Sequence, residues 1–240
     1  MYGYYYLYGT DFYVAVLMIA AMIFALAAQI SVKSTFNRYS KKLSSRGITG
    51  AQAARMILDR NGLTGVRIER ISGSLTDHYD PRSNVIRLSD SVHDNSSVAA
   101  VGVAAHECGH AVQYAAGYGP VKLRAAIIPI TQFSSRAAVP LIIIGLLINL
   151  TGLAYLGVLF FALATFFQLV TLPVEFNASH RALATLEEYG TLSDDELSGA
   201  RKVLRAAAMT YVAALAVSLV QLLRWIAVIG SNNNHRRGRR

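Results

Sequence analysis

Ala105-His106-Glu107-Cys108-Gly109-His110-Ala111 decides how the rest of the chain is read. The stretch has the form H-E-x-x-H. On a helix, residues four apart lie on one face, so His106 and His110 present two imidazoles side by side. Two such nitrogens suit one zinc ion, and Glu107 stands where it can take a proton from water. The context favours a helix. Asp94, Asn95, Ser96 and Ser97 are all residues that cap helix starts, and residues 98–105 form a small, apolar run. A helix of that composition is buried. A His-Glu-His set inside it is costly unless a metal compensates it. Cys108 lies two residues from each histidine, about 200° around a helix. It is expected to point away from the metal as a small core residue.

The composition is that of a membrane protein. Hydrophobic residues make up 53% of the 240 residues and charged ones only 15%, too apolar for an ordinary soluble domain. The net charge of +9 is concentrated in short flanks rather than on a face. With no nucleic-acid-binding module in view, membrane topology accounts for it better than nucleic acid does. One cysteine excludes an internal disulfide. Oligomeric state cannot be read from the chain.

Working outward, the expected architecture is mainly α. It is an integral-membrane, zincin-like metalloprotease with about four transmembrane helices and a small α/β insertion carrying an edge strand. A tyrosine-rich start and a first span occupy residues 1–30, with the tyrosines suited to the bilayer interface. Lys33, Arg38, Lys41, Lys42 and Arg46 follow, which places residues 31–124 on the cytoplasmic side of a bacterial inner membrane. Within that domain Thr49 caps a helix that Gly62 stops, and residues 66–71 and 85–88 read as strands. Residues 84–89 are expected to form a sheet edge on which an extended peptide adds a strand. The H-E-x-x-H helix is expected over about 96–116. Residues 125–172 then read as a hairpin of two spans broken near Asn149 and Gly152. Pro173 is expected to open a new helix within 173–205. Residues 206–229 form a fourth span or an interfacial helix, and 230–240 a disordered basic tail. Four full crossings would put both termini outside, which the Arg-rich tail opposes.

A catalytic zinc usually has three protein ligands and a water. The extension H-E-x-x-H-x-x-G-x-x-H fails, because Gln113 and Ala116 stand where Gly and His are wanted. The third ligand must lie on the same membrane side as His106, with an even number of spans between. Glu175 emerges just after the hairpin and brings the negative charge that two neutral imidazoles lack. His180, His78 and His93 are its rivals. His78 is also a candidate for contacting the substrate or its oxyanion. Asn177, Ser179, His180 and Arg181 are candidates to orient the ligands.

Four pieces of the chain carry a specific likeness: D-H-Y-D-P-R at 77–82, A-A-H-E-C-G-H-A-V-Q at 104–113, P-V-E-F-N-A-S at 173–179 and G-A-R-K-V-L-R-A-A at 199–207. With them the sequence resembles the YugP-like family of membrane zinc metallopeptidases over nearly its whole length. That family is similar to the wider gluzincin group, which includes the HtpX heat-shock proteases and the membrane CAAX prenyl proteases. The resemblance implies that a glutamate on a later helix, in a Glu-x-x-x-Asp pattern, is the third zinc ligand. Glu175 takes the glutamate's place. Ser179 stands where the pattern has aspartate, so the hydrogen bond behind a ligand must be made differently, or by Asn177.

The expected function is zinc-dependent endopeptidase activity at the membrane surface, with one Zn²⁺ per chain held by His106, His110 and Glu175. Glu107 serves as general base toward the zinc-activated water. The partners are the lipid bilayer and a protein or peptide substrate, without nucleic acid. A catalytically inactive zinc-binding scaffold is the alternative, marked by a fourth protein ligand such as His180. A transporter is disfavoured, because the hairpin holds no charged residue after Arg136 and Arg224 stands alone in the last span.

Overall fold

The computed structural model describes the backbone of residues 2–237 and the side chains of residues 12–231. The tyrosines at 2–8 and the end of the basic tail, read above as interfacial and disordered, lie outside the described side chains. The chain is mainly helical: α1 (Tyr2–Tyr39), α2 (Gly50–Arg60), α3 (Val98–Ala115), α4 (Gly119–Leu147), α5 (Thr151–Glu188) and α6 (Asp194–Arg237). Three short strands, β1 (Arg67–Ile71), β2 (His78–Asp80) and β3 (Val85–Ser89), lie between α2 and α3. The stretches Phe12–Tyr39, Gly119–Leu147, Thr151–Glu188 and Asp194–Ser231 are long and apolar enough to cross a membrane.

The chain divides into two compact units. One comprises Met1–Ala27, Leu123–Thr171 and Tyr211–Arg240. Many of its outward side chains are large and apolar; Ile23, Phe133, Leu147, Leu159 and Leu223 are all exposed, as lipid-facing residues are. Within this unit α4 and α5 pack closely through small residues. A Cβ at Gly157 would sit 2.7 Å from the Ala138 carbonyl oxygen. Asn149, with φ of +62°, makes the turn between them. Thr165 and Ser218 share a 2.8 Å hydrogen bond, which satisfies both hydroxyls where water is scarce.

The other unit comprises Ala28–Lys122 and Leu172–Thr210. Its core joins Ile57 and Leu58 of α2, Ile86 and Leu88 of β3, and the small residues Ala100, Ala104 and Ala105 of α3 with Leu186 and Leu204. Thr49 caps α2 in a full capping box with Gln52. Glu196 closes the start of α6 on the Ser193 backbone N–H at 2.9 Å. The same carboxylate accepts from the Ser45 N–H at 2.7 Å, so one cap also pins the chain that follows α1.

Two expectations are corrected. The sheet order is β1-β3-β2, with β3 parallel to β1 and antiparallel to β2. Within residues 84–89, β3 is therefore the central strand, paired with β1 along its length and with β2 from Val85 to Arg87. The reason lies in burial: Val85, Ile86 and Leu88 are fully buried, whereas β2 is half-buried along its length. Second, Pro173 does not open a helix, because α5 runs through it without interruption. Proline removes one backbone donor, a loss that long apolar helices tolerate when the flanking residues are held by packing. Val174 and Ala178, fully buried, supply that packing.

Candidate metal centre

The site is built from two helices. Ser97 caps α3, its side chain accepting from the Ala100 N–H at 3.2 Å. The following residues are small enough for α3 to lie in the core, and Ala104, Ala105 and Cys108 are fully buried. Gly109, between the two histidines, sets the approach of α5. A Cβ there would meet the Ala178 carbonyl oxygen at 2.5 Å. Only a glycine lets the two backbones come so close, and that approach brings Glu175, three residues before Ala178, to the imidazoles. Gly109→Ala is accordingly expected to cost about 1–3 kcal/mol, as overpacking in a core does. It should show as a lower unfolding midpoint of the full chain in detergent. A variant that melts with the parent would mean the helices are not in that contact.

The ligand atoms of His106, His110 and Glu175 all lie within 4.8 Å of one another, so the three can hold a metal ion. Glu175 Oε2 is 3.4 Å from His106 Nε2 and 3.6 Å from His110 Nε2. Ligands about 2.0–2.1 Å from a tetrahedral zinc stand roughly 3.3 Å apart, so the donor set fits that ion. The imidazole planes are inclined at 83°. The side chain of Glu175 is only 4% exposed. A carboxylate so buried needs partners, and the two rings are within reach.

The far edge of each ring is held. His110 Nδ1 lies 3.0 Å from Gln113 Oε1. Gln113 is fully buried, and its Nε2 donates to the Val174 carbonyl at 2.7 Å and to Asn177 Oδ1 at 3.0 Å. With both amide hydrogens used, its oxygen faces the ring. The neutral ring then carries its proton on Nδ1, which leaves the Nε2 lone pair for a metal. His106 Nδ1 is 3.1 Å from Ser179 Oγ. Asn177 Oδ1 also accepts from Arg181 Nε at 2.8 Å. The contact at the expected aspartate position is thus made by the serine itself, and Asn177 serves Gln113 instead. Burial pulls the His110 imidazole down, but its bond to Glu175 and the charges of Glu107 and Glu175 outweigh that. Its pKa stands above the ordinary value, and a metal binding there competes with a proton.

Glu107 is 7% exposed, and among the described residues its carboxylate has no hydrogen-bond or ion-pair partner. Cys108 points away, its Sγ donating to the Ala54 carbonyl at 3.5 Å, and burial pushes the thiol up. The other expected histidines lie outside the cluster. His78 Nδ1 is 2.9 Å from the Thr76 carbonyl and its Nε2 is 3.5 Å from an Arg87 nitrogen. His93 pairs with Asp94 at 2.8 Å. His180 is exposed and lines a groove with residues of α6.

Gln113 is the residue that sequence reasoning missed. It was read only as the wrong residue for a longer motif. The signal was present: it follows His110 by three positions, the helical spacing at which side chains meet.

Comparison with known proteins agrees with this geometry. Residues 14–230 match the family described as "Putative neutral zinc metallopeptidase". The chain is similar to "Putative membrane protease YugP" of Bacillus subtilis (strain 168), at 49% identity over 212 residues. That alignment covers 88% of this chain and 94% of the relative. No solved structure matches it. A His-His-Glu cluster with a buried glutamate thus stands in a sequence matched almost end to end by one family model, and the chain belongs to the YugP-like zinc metallopeptidases.

Proposed function

We propose that this protein is a membrane-embedded zinc endopeptidase that hydrolyses peptide bonds of proteins at or near the membrane surface. The observation that carries the reading is the convergence of Glu175 with His106 and His110, whose helix also carries the buried Glu107. His106, His110 and Glu175 hold one zinc per chain. When bound there, zinc acidifies a coordinated water and polarises the scissile carbonyl. Glu107 takes the proton released as water attacks and passes it to the leaving amine. Ser179 and Gln113 keep the two imidazoles turned so that their Nε2 atoms face inward. Arg181 holds Asn177, and through it Gln113.

An extended substrate has an outer strand on which to lie, and β2 replaces residues 84–89 in that role. Tyr79 of β2 packs edge-on against Tyr114 of α3, with ring centroids 5.7 Å apart, so that strand adjoins the motif helix. His78 is offered from the same strand as a contact for the substrate. The basic residues 33–46 support a site on the cytoplasmic face of the membrane. The cluster has three protein ligands among the described residues, the count of a catalytic rather than a structural zinc.

Metal removal tests this. The full chain in detergent should cleave an unstructured protein, lose that activity on dialysis against a chelator, and regain it with one equivalent of zinc. Undiminished cleavage by metal-free protein would end the reading.

A further inference from the structure

Helices α5 and α6 leave a groove of about 360 Å³ between them, on residues that the metal centre does not use for ligation. Its apolar lining is Phe176, Leu183, Leu204 and Ala208. Leu204 and Ala208 are buried, while Phe176 is 47% exposed although it belongs to an aromatic residue type that usually finds cover. Arg201 and Arg205 stand four residues apart on α6, so their guanidinium groups share one face. His180 faces them from α5, and Glu187 also lines the groove. Among the described residues, neither arginine makes an ion pair or hydrogen bond, and both are exposed. Two permanent cations against one carboxylate leave the groove net positive.

Its place along the helices identifies the anion. Phe176 follows the apolar run of α5 by about one turn. Arg205 immediately precedes the apolar run of α6. Arginines at the end of a span stand at the depth of lipid phosphates, and an exposed aromatic beside them suits the interface. Ser179 also lines the groove, and its Oγ lies 3.1 Å from His106 Nδ1. Ser179 is thus shared between the lining of the groove and the contact with His106 Nδ1, the ring nitrogen not turned to Glu175.

We propose that this groove binds an anionic phospholipid, its phosphodiester on Arg201 and Arg205 and its acyl chains over Phe176 and Ala208. The lipid holds α5 and α6 together at the level of Ser179. This site is independent of the proposed peptidase activity, because its test reads binding.

The full chain is placed in phosphatidylcholine nanodiscs carrying a trace of photoactivatable phosphatidylglycerol, phosphatidylethanolamine or phosphatidylcholine. Crosslinks are then mapped by mass spectrometry. Phosphatidylglycerol should label residues 176–208 several-fold more than the other two lipids. Arg201→Gln and Arg205→Gln should each reduce that labelling about fivefold, and lysine at either position should restore much of it. Lys202→Gln removes the same charge outside the groove and should change little. Ala184→Trp fills the groove without altering charge, and should also displace the lipid. Equal labelling by the three lipids, or labelling indifferent to Arg201 and Arg205, would overturn the proposal. So would its displacement by an acidic peptide that itself becomes crosslinked to these residues, which would make the groove a peptide site.

Discussion

Glu107→Gln is expected to abolish peptide hydrolysis while the protein keeps one zinc per chain. The substitution preserves size and shape, so the helix should pack as before. It removes the proton acceptor and, with it, one of the charges that raise the His110 imidazole. General-base catalysis by a positioned side chain contributes about 10²–10⁴-fold, and that is the loss expected in the rate under saturating substrate. Among the described residues no hydrogen bond or ion pair holds the Glu107 carboxylate, so the change breaks no such contact. Metal analysis and cleavage of an unstructured protein, run on the same preparation, check both halves. A variant that cleaves as fast as the parent would remove Glu107 from the chemistry. One that loses its zinc would give it a structural role instead.

The second large effect is expected at position 175. Glu175→Gln keeps the volume of a buried side chain but removes its charge. Losing a partner behind a ligand costs about 10–100-fold in metal affinity. Losing a ligand should cost more, so zinc retained by the parent through dialysis against a weak chelator should leave the variant. The two imidazoles then lack the negative charge that balances the ion. The protein should remain folded, because Val174 and Ala178 on either side still pack in the core. Full zinc occupancy in a folded Glu175→Gln protein would take the carboxylate out of the first coordination sphere. Activity lost with zinc retained would leave Glu175 as a positioning residue.

Much of the architecture was legible along the chain. The four long apolar helices follow from composition and length. The break at Asn149 follows from a polar residue that tolerates positive φ between two apolar runs. Thr49 and Ser97 announce the starts of α2 and α3 because capping is a contact between near neighbours. The strand order was not legible. Residues 85–88 and 66–71 both read as short strands, and which of them lies in the middle depends on what packs over each face. Pro173 misled for a related reason: its local preference is to begin a helix, but the contacts of Val174 and Ala178 with the core outweigh it.

The sequence by itself determined the pair His106 and His110 and the acid beside them, because helical periodicity places residues four apart on one face whatever surrounds them. It also singled out Glu175, through the count of apolar runs between the two segments. Tertiary structure decided the rest of the centre. It put Ala178 against Gly109, Gln113 between His110 and Asn177, and Ser179 behind His106. These contacts join residues more than sixty positions apart on two helices, apart from the local bond of Gln113 to His110. Their partners are selected by how closely two backbones can approach, and a glycine in a sequence does not say what comes to fill the space it leaves.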